Sequence, residues 1–206
     1  QQRGLCLEPC DLSDERSLTE ALRHGGGSNR SVTELRALVE AAHELVLGTG
    51  ESSPGVEGEG ILISGGSGLL GTALLEVLSG LVAAPIHCLV RATPPQGRFP
   101  TVAGDVSRPL WGLTARAIEA LRGRIGHVVH LAGRVDLTRG YAALAPVNVH
   151  GTAHAIAVAR TLGARLHFTS SLSVFAESDA TGELAPSTPL EAATSVRGGY
   201  AQSKWV

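Results

Sequence analysis

An α/β fold built on a doubly wound parallel sheet is what this sequence predicts, and three observations predict it. Short, wholly apolar runs rich in β-branched residues recur from residue 60 onward. Stretches with leucine and alanine at helical spacing alternate with them. A glycine-rich loop joins the first such run to the first such helix. Strands that are apolar throughout are buried on both faces, and helices placed between them supply the right-handed crossovers a parallel sheet requires.

The elements follow in order. Ile61-Leu62-Ile63 is the first strand, and Leu69, Leu70, Ala73, Leu74 and Leu78, ending at Gly80, mark the first helix. Further strands are expected at Ile86–Val90, Thr101–Ala103, Val128–Leu131 and Leu166–Thr169, with helices over Thr114–Leu121 and Val147–Leu162 between them. Residues 1–58 differ. Ser17–Leu22 and Ser31–Leu47 have helical character, the latter through Leu35, Leu38, Val39, Ala42 and Leu45. Gly25-Gly26-Gly27-Ser28 and the stretch from Gly48 to Gly60 read as linkers. The expected division is a linker or tail of an upstream module over 1–58 and a nucleotide-binding domain over 59–206.

Composition narrows the function. Of 206 residues, 43% are hydrophobic and 17% charged, with a net charge of -2; neither a disordered chain nor a nucleic-acid-binding surface is indicated. Three cysteines, Cys6, Cys10 and Cys88, make neither a disulfide framework nor a zinc site and fit free thiols in a reducing cytoplasm, with Cys88 a small core residue of the second strand. No apolar run approaches the roughly eighteen residues of a membrane helix, and the first residues lack the basic-then-apolar pattern of a signal peptide. The chain opens on Gln1 and has no methionine. It is expected to be cut from a longer polypeptide and to be inactive by itself.

The loop Ser64-Gly65-Gly66-Ser67-Gly68-Leu69-Leu70-Gly71 spaces its glycines G-x-x-G-x-x-G between strand and helix. Gly65 permits a tight turn, Gly68 close approach to a pyrophosphate and Gly71 close packing of helix on sheet, while Ser67, Leu69 and Leu70 contribute the backbone at the helix N-terminus. A flexible turn would show the same glycines; the flanking strand and helix favour dinucleotide binding. Where an acid would hold the ribose 2′-hydroxyl of NAD, this chain has Arg91, suited to the 2′-phosphate of NADP, with Arg98 as a second clamp. Asp105, with Val106 in Gly104-Asp105-Val106, is placed to accept from the adenine amino group, although a turn-forming aspartate looks the same. Leu131, Ala132 and Gly133 close the fourth strand with residues small enough to run beneath a nicotinamide ribose.

The reactive constellation comes last. Ser171 follows the fifth strand, and Tyr200-Ala201-Gln202-Ser203-Lys204 places tyrosine and lysine on one helical face. A phenol left to itself titrates near about 10 and is a slow acid at neutral pH; a neighbouring ammonium favours its charged form. A hydroxyl from Ser171 would hold the substrate oxygen as charge develops. His150 and His154, four apart, lack an intervening Glu and a third ligand, so no metal is expected.

In order and spacing, residues Ile61–Gly71, Cys88–Ala92, Val102–Val106, Val128–Gly133, Val147–Thr152 and Gly199–Val206 resemble the extended short-chain dehydrogenases/reductases, with their Rossmann-type fold. The Leu89-Val90-Arg91-Ala92 and Gly199-Tyr200-Ala201-Gln202-Ser203-Lys204-Trp205 blocks are most similar to thioester reductase domains. Those domains end nonribosomal peptide and polyketide synthases, carboxylic acid reductases and α-aminoadipate reductase, and are related to fatty acyl-CoA reductases. The resemblance implies a catalytic triad of Ser171, Tyr200 and Lys204, with Tyr200 and Lys204 also at the cofactor and Asn148 supporting the site. Gly66 and Gly133 stand where alanine is more usual. The implied reaction is NADPH-dependent reduction of a phosphopantetheine-linked acyl thioester, presented by an acyl carrier protein, to an aldehyde, with reduction on to an alcohol by a second hydride left open. Two rivals are a nucleotide-sugar epimerase or dehydratase, for which an acid in place of Arg91 is expected, and a non-enzymatic NADP-binding regulator, which would lack the Tyr-Lys pair. Acyl chain and oligomeric state are left open.

Overall fold

Five parallel strands form the central sheet of the computed structural model, which describes residues 30–31, 34, 36–37, 58–92, 97–175, 177–178, 187–190 and 193–206. They are β2 (Gly60–Ser64), β3 (Ile86–Val90), β4 (Thr101–Ala103), β5 (Ile125–His130) and β6 (Arg165–Phe168), in the order β4-β3-β2-β5-β6. The order reverses at β2, so the crevice above the C-terminal ends of β2 and β5 is the topological switch point at which such sheets bind ligands. Register follows from burial. Ile61 lies beside Ile86, and Leu62 beside both His87 and Val128, so every residue of β2 is buried.

Alternate residues of β2 serve two cores. Ile61 and Ile63 join Leu75, Ile86 and Cys88 beneath α1 (Leu69–Leu81). Leu62 joins Leu89, Trp111, Val128, Val158 and Leu162 beneath α3 (Tyr141–Leu162) and α2 (Ala115–Leu121). Leu62 and Ile63 are wholly inaccessible, a burial that stabilises by about 2 kcal/mol each. Trp111, in a short 3₁₀ turn at Pro109–Gly112, is also wholly buried although it and Leu110 have φ of 57° and 48°. That left-handed backbone costs about 1–2 kcal/mol per residue and is offset by the burial of the indole, which donates to the Gly151 carbonyl at 3.4 Å.

Three departures from the expected elements have physical reasons. α3 begins at Tyr141 rather than Val147, because Pro146 lies close enough to the helix start to remove one backbone bond without ending it, while Leu144 and Ala145 are buried and hold the first turns. β5 begins at Ile125, three residues earlier than its apolar run suggests, since Ile125 and His127 pair with Gly60 and Ile61 of β2 and the register shifts past Gly126 between them. Ser31, expected to start a helix, instead pairs as part of β1 (Arg30–Ser31), whereas Glu34, Arg36 and Ala37 are helical. β1, β7 (Glu177–Ser178) and β8 (Ala193–Val196) form a second sheet, antiparallel, in the order β1-β8-β7, and no local periodicity announced it. Cys6, Cys10, Ser17–Leu22 and most of Ser31–Leu47 lie outside the described residues. Among those described, no helix is long and apolar enough to cross a membrane and no metal-binding cluster occurs.

Candidate active site

The glycine loop forms a cradle whose shape excludes side chains. Gly65 has a φ of 79°, and a Cβ there would come within 2.6 Å of the Ala132 nitrogen. One at Gly71 would collide with the Gly65 carbonyl. The turn closes through a bond from the Gly68 N–H to the Gly65 carbonyl, 3.0 Å. Gly68 caps α1 without a side-chain bond, and no acidic residue lies in the first turn, so the positive helix end is uncompensated. Ser67, Gly68, Leu69 and Leu70 are exposed there, Leu69 at 95%. This backbone cradle, with no room for a Cβ at Gly65 or Gly71 and an uncompensated helix N-terminus, fits a dinucleotide pyrophosphate.

Arg91, exposed at the end of β3, lies near enough to Asp105 for its charge to help depress that carboxyl. The larger cause is Ser107: its N–H and hydroxyl donate to Asp105 Oδ1 at 2.9 and 2.8 Å, so Asp105 does form a turn. Arg98 is exposed and lies over the Phe99 ring at 5.6 Å. Val106 packs against the core beneath α3 and touches Gly151.

Beneath the crevice, the Ser64 hydroxyl is 2.7 Å from His130 Nδ1 and accepts from the Ala132 N–H at 3.4 Å. His130 is 1% exposed, its Nε2 is buried without a hydrogen-bond partner, and its ring lies between Trp111 and Phe168 at 5.6 and 6.1 Å. Burial, and next the charge of Lys204, push its pKa down to about 4. The backbone of Leu131 and Ala132 thus sits against Gly65, joining the two loops of the crevice.

The corner that brings Lys204 to Asn148 and Gly133 is assembled by α4 (Gly199–Trp205). Lys204 is half-buried; its Nζ donates to the Thr169 carbonyl at 3.1 Å and lies 4.9 Å from the Phe168 ring centroid. Burial lowers its pKa from the usual lysine value. A Cβ on Gly133 would stand 3.4 Å from that Nζ and 3.6 Å from Asn148 Oδ1, ordinary contact distances, so the Gly133 backbone lies against both groups with room for a methyl. Asn148, 2% exposed, accepts from the Arg134 N–H at 2.7 Å and donates to the Arg134 carbonyl at 3.0 Å and to Ser203 Oγ at 2.9 Å. Ser203 in turn donates to the Tyr200 carbonyl at 2.8 Å. Both amide protons of Asn148 are committed, which makes it a tie between the loop after β5 and the helix bearing Tyr200. Tyr200 is half-buried in the first turn of α4. Ser171 pairs with Ser173, Oγ to Oγ 2.8 Å, and accepts its N–H at 3.2 Å.

The structure therefore gathers Gly133, Asn148 and Lys204 at one point, and Gly65 with Leu131 and Ala132 at another. It leaves Arg98 on its own surface. Sequence reasoning missed the Ser64–His130 pair, the Phe168 platform and the Ser203 bridge, since each is a contact between distant segments. His154, one of the paired histidines, is buried, its pKa lowered by burial and then by His150, and no third ligand joins them among the described residues.

A family model described as Male sterility protein matches residues 95–206. Glycine betaine reductase ATRR of Emericella nidulans is 30% identical over 174 residues, 71% of this chain and 14% of that protein. Isonitrile lipopeptide synthase of Streptomyces coeruleorubidus is 31% identical over 170 residues, 70% of this chain and 11% of that one. The crystal structure of the terminal R domain from the myxalamid PKS-NRPS biosynthetic pathway superposes with a TM-score of 0.70 at 29% identity, covering 82% of this chain and 50% of that domain. The chain thus spans a small part of these curated relatives and half of the crystallised domain. With more than half of its length inside the family model, it belongs to the NAD-binding family described as Male sterility protein, as an oxidoreductase domain homologous to terminal reductase domains of peptide and polyketide synthetases.

Proposed function

We propose that the chain carries the NADPH-dependent reductive release of an acyl group held as a phosphopantetheine thioester on a carrier protein. The observation that carries this reading is the corner in which Lys204, Asn148 and the Gly133 backbone converge beneath the helix bearing Tyr200. When bound, the dinucleotide supplies the hydride. The stoichiometry is thioester, NADPH and a proton giving aldehyde, free thiol and NADP; a second such reduction gives the alcohol.

The chain's own groups do the rest. The hydroxyls of Tyr200 and Ser171 hold the thioester oxygen as charge develops, which is worth most where donors are already oriented. Tyr200 delivers the proton. The Lys204 ammonium, held by the Thr169 carbonyl and the Phe168 face, stabilises charge on the phenol oxygen and takes the nicotinamide ribose hydroxyls. Arg91 takes the 2′-phosphate, and the N-terminus of α1 the pyrophosphate.

The test is an assay of the full-length protein with a synthetic acyl-pantetheine thioester and NADPH, following nicotinamide oxidation and trapping the carbonyl product with a hydrazine. Stoichiometric aldehyde or alcohol and free thiol are expected. Cofactor binding without any thioester turnover would overturn the reading.

A further inference from the structure

We infer that β1, a two-residue strand lying ahead of the glycine loop, braces the catalytic corner: it completes the small sheet on which the helix bearing Tyr200 and Lys204 is mounted. The inference rests on the catalytic reading of those two residues. It assigns Arg30 and Ser31 to the working part of the domain.

Three observations support it. First, α4 has seven residues, and helices that short are marginal without tertiary packing. It packs on α3, to which Asn148 and Ser203 tie it, and its other support is the small sheet: the Gln202 side chain donates to the Val196 carbonyl at 3.0 Å, and Val196, wholly buried, packs with Ala201, Trp205 and Val174. Second, β8 is the middle strand of its sheet. On one side it pairs with β7, Glu177 beside Ser195, and β7 follows the short 3₁₀ turn Leu172–Phe175 that begins directly after Ser171. The sheet thereby fixes the segment carrying Ser171 against the segment carrying Tyr200. Third, the other side of β8 is occupied by β1, with Arg30 beside Val196 and Ser31 beside Ser195. Two strands alone are marginally stable in water, and a third is what makes a small sheet persist. Without β1, β8 and β7 form such a two-stranded ladder, and Val196, four residues from Tyr200, becomes part of an open edge.

The pairing is between backbones, so a specific variant isolates it. Arg30→Pro with Ser31→Pro removes both N–H groups from the strand, whereas Arg30→Ala with Ser31→Ala keeps the ladder. Hydrogen exchange by mass spectrometry on the full chain reads the brace without reference to activity. In the proline variant, amides of residues 195–205 are expected to exchange about tenfold faster or more, those of residues 60–80 at the parental rate, and the alanine variant should behave as the parent. Unchanged exchange over 195–205 in the proline variant, or equal acceleration over 60–80, would overturn the inference. Turnover is measured beside it: with the brace lost, kcat on the thioester should fall about tenfold while the cofactor dissociation constant stays within about twofold. Proline-sensitive exchange in a protein without thioester turnover would uphold the brace and defeat the catalytic reading; insensitive exchange in an active enzyme would do the reverse.

Discussion

The glycine cradle and the catalytic corner lie on the same sheet but are held by different means. The cradle is made within one stretch of chain: β2, its loop and the start of α1 set the backbone by glycine geometry, and the neighbouring strand end of β5 closes it. The corner is gathered from five places, the loop after β5, α3, the end of β6, the small sheet and α4, and is tied by Asn148, Ser203, Gln202 and the Lys204–Thr169 bond. A locally encoded cradle can bind without the corner being in order. The corner cannot hold its geometry unless distant segments are all in place.

The largest expected effect separates the two regions cleanly. Tyr200→Phe should reduce thioester turnover by about a thousandfold or more, as loss of a general acid does, with the cofactor dissociation constant nearly unchanged. Steady-state kinetics beside a cofactor titration checks this; near-parental turnover would move the proton donor to another group.

Next come two glycines with the same steric problem in different regions. A methyl on Gly71 meets the Gly65 carbonyl, and one on Gly199 meets the Arg139 carbonyl and the Tyr141 nitrogen; in both cases the obstacle is backbone, which does not give way as a side chain would. Gly71→Ala should weaken cofactor binding by about a hundredfold, roughly 3 kcal/mol of distortion. Gly199→Ala should lower turnover and melting temperature while cofactor affinity stays within about threefold, because the displaced helix is α4. Equal loss of affinity in both variants would show that the two regions are not separable.

The same contrast explains what the sequence made legible. The five strands of the parallel sheet, the glycine loop and the positions of Tyr200 and Lys204 are written in local signals: apolar runs, glycine spacing, a four-residue step on a helix. What escaped is non-local. Ser64 and His130 belong to different strands, Asn148 reaches Ser203 across the chain, and β1 pairs with β8 from the far end of it. α3 begins at Tyr141, ahead of the expected Val147, where the burial of Leu144 and Ala145 holds its first turns. Asp105 shows the limit of motif reading, since the Asx turn onto Ser107 and a contact to adenine call for the same residue.

His130 lies where the regions meet, bonded to Ser64 of the cradle and feeling the charge of Lys204 in the corner. Its folded pKa of about 4 is below the ordinary 6.5, so as pH falls the unfolded chain takes up its proton first. The stabilisation is complete above about pH 6.5 and is lost as pH falls toward 4, amounting to about 2 kcal/mol between pH 7 and pH 5. His87, His154 and His167 are also depressed, by burial first, and add to the parental slope. The difference between parent and His130→Leu isolates the one group: urea denaturation at the two pH values should show a slope smaller by about 2 kcal/mol in the variant. Identical slopes would mean that His130 is not held neutral between the regions.

The smallest effect concerns the cradle alone. Arg91 stands where an acid would hold the ribose of NAD, and a guanidinium there is suited to a 2′-phosphate through two parallel charged bonds. A charged hydrogen bond contributes about 1.5–3 kcal/mol. The lower end applies, because Arg91 is exposed, water competes for it, and its charge is partly balanced by Asp105, whose carboxyl it helps to depress. Arg91→Ala should therefore weaken NADPH binding about tenfold and leave NADH binding nearly as it was. Arg91→Asp should go further and invert the preference, by repelling the phosphate and accepting from the free 2′-hydroxyl, at the cost of a second carboxylate near Asp105 that raises the pKa of both. Measured at two salt concentrations, the NADPH preference of the parent should shrink as ionic strength rises, since the contact is between exposed charges, while the affinity for NADH should be the less affected. Because Arg91 lies remote from Tyr200 in the chain's division of labour, neither variant should alter kcat at saturating cofactor. Equal affinities for NADH and NADPH in the parent would remove Arg91 from the cofactor site, and a kcat that fell with Arg91→Ala would show that the cradle and the corner are coupled after all.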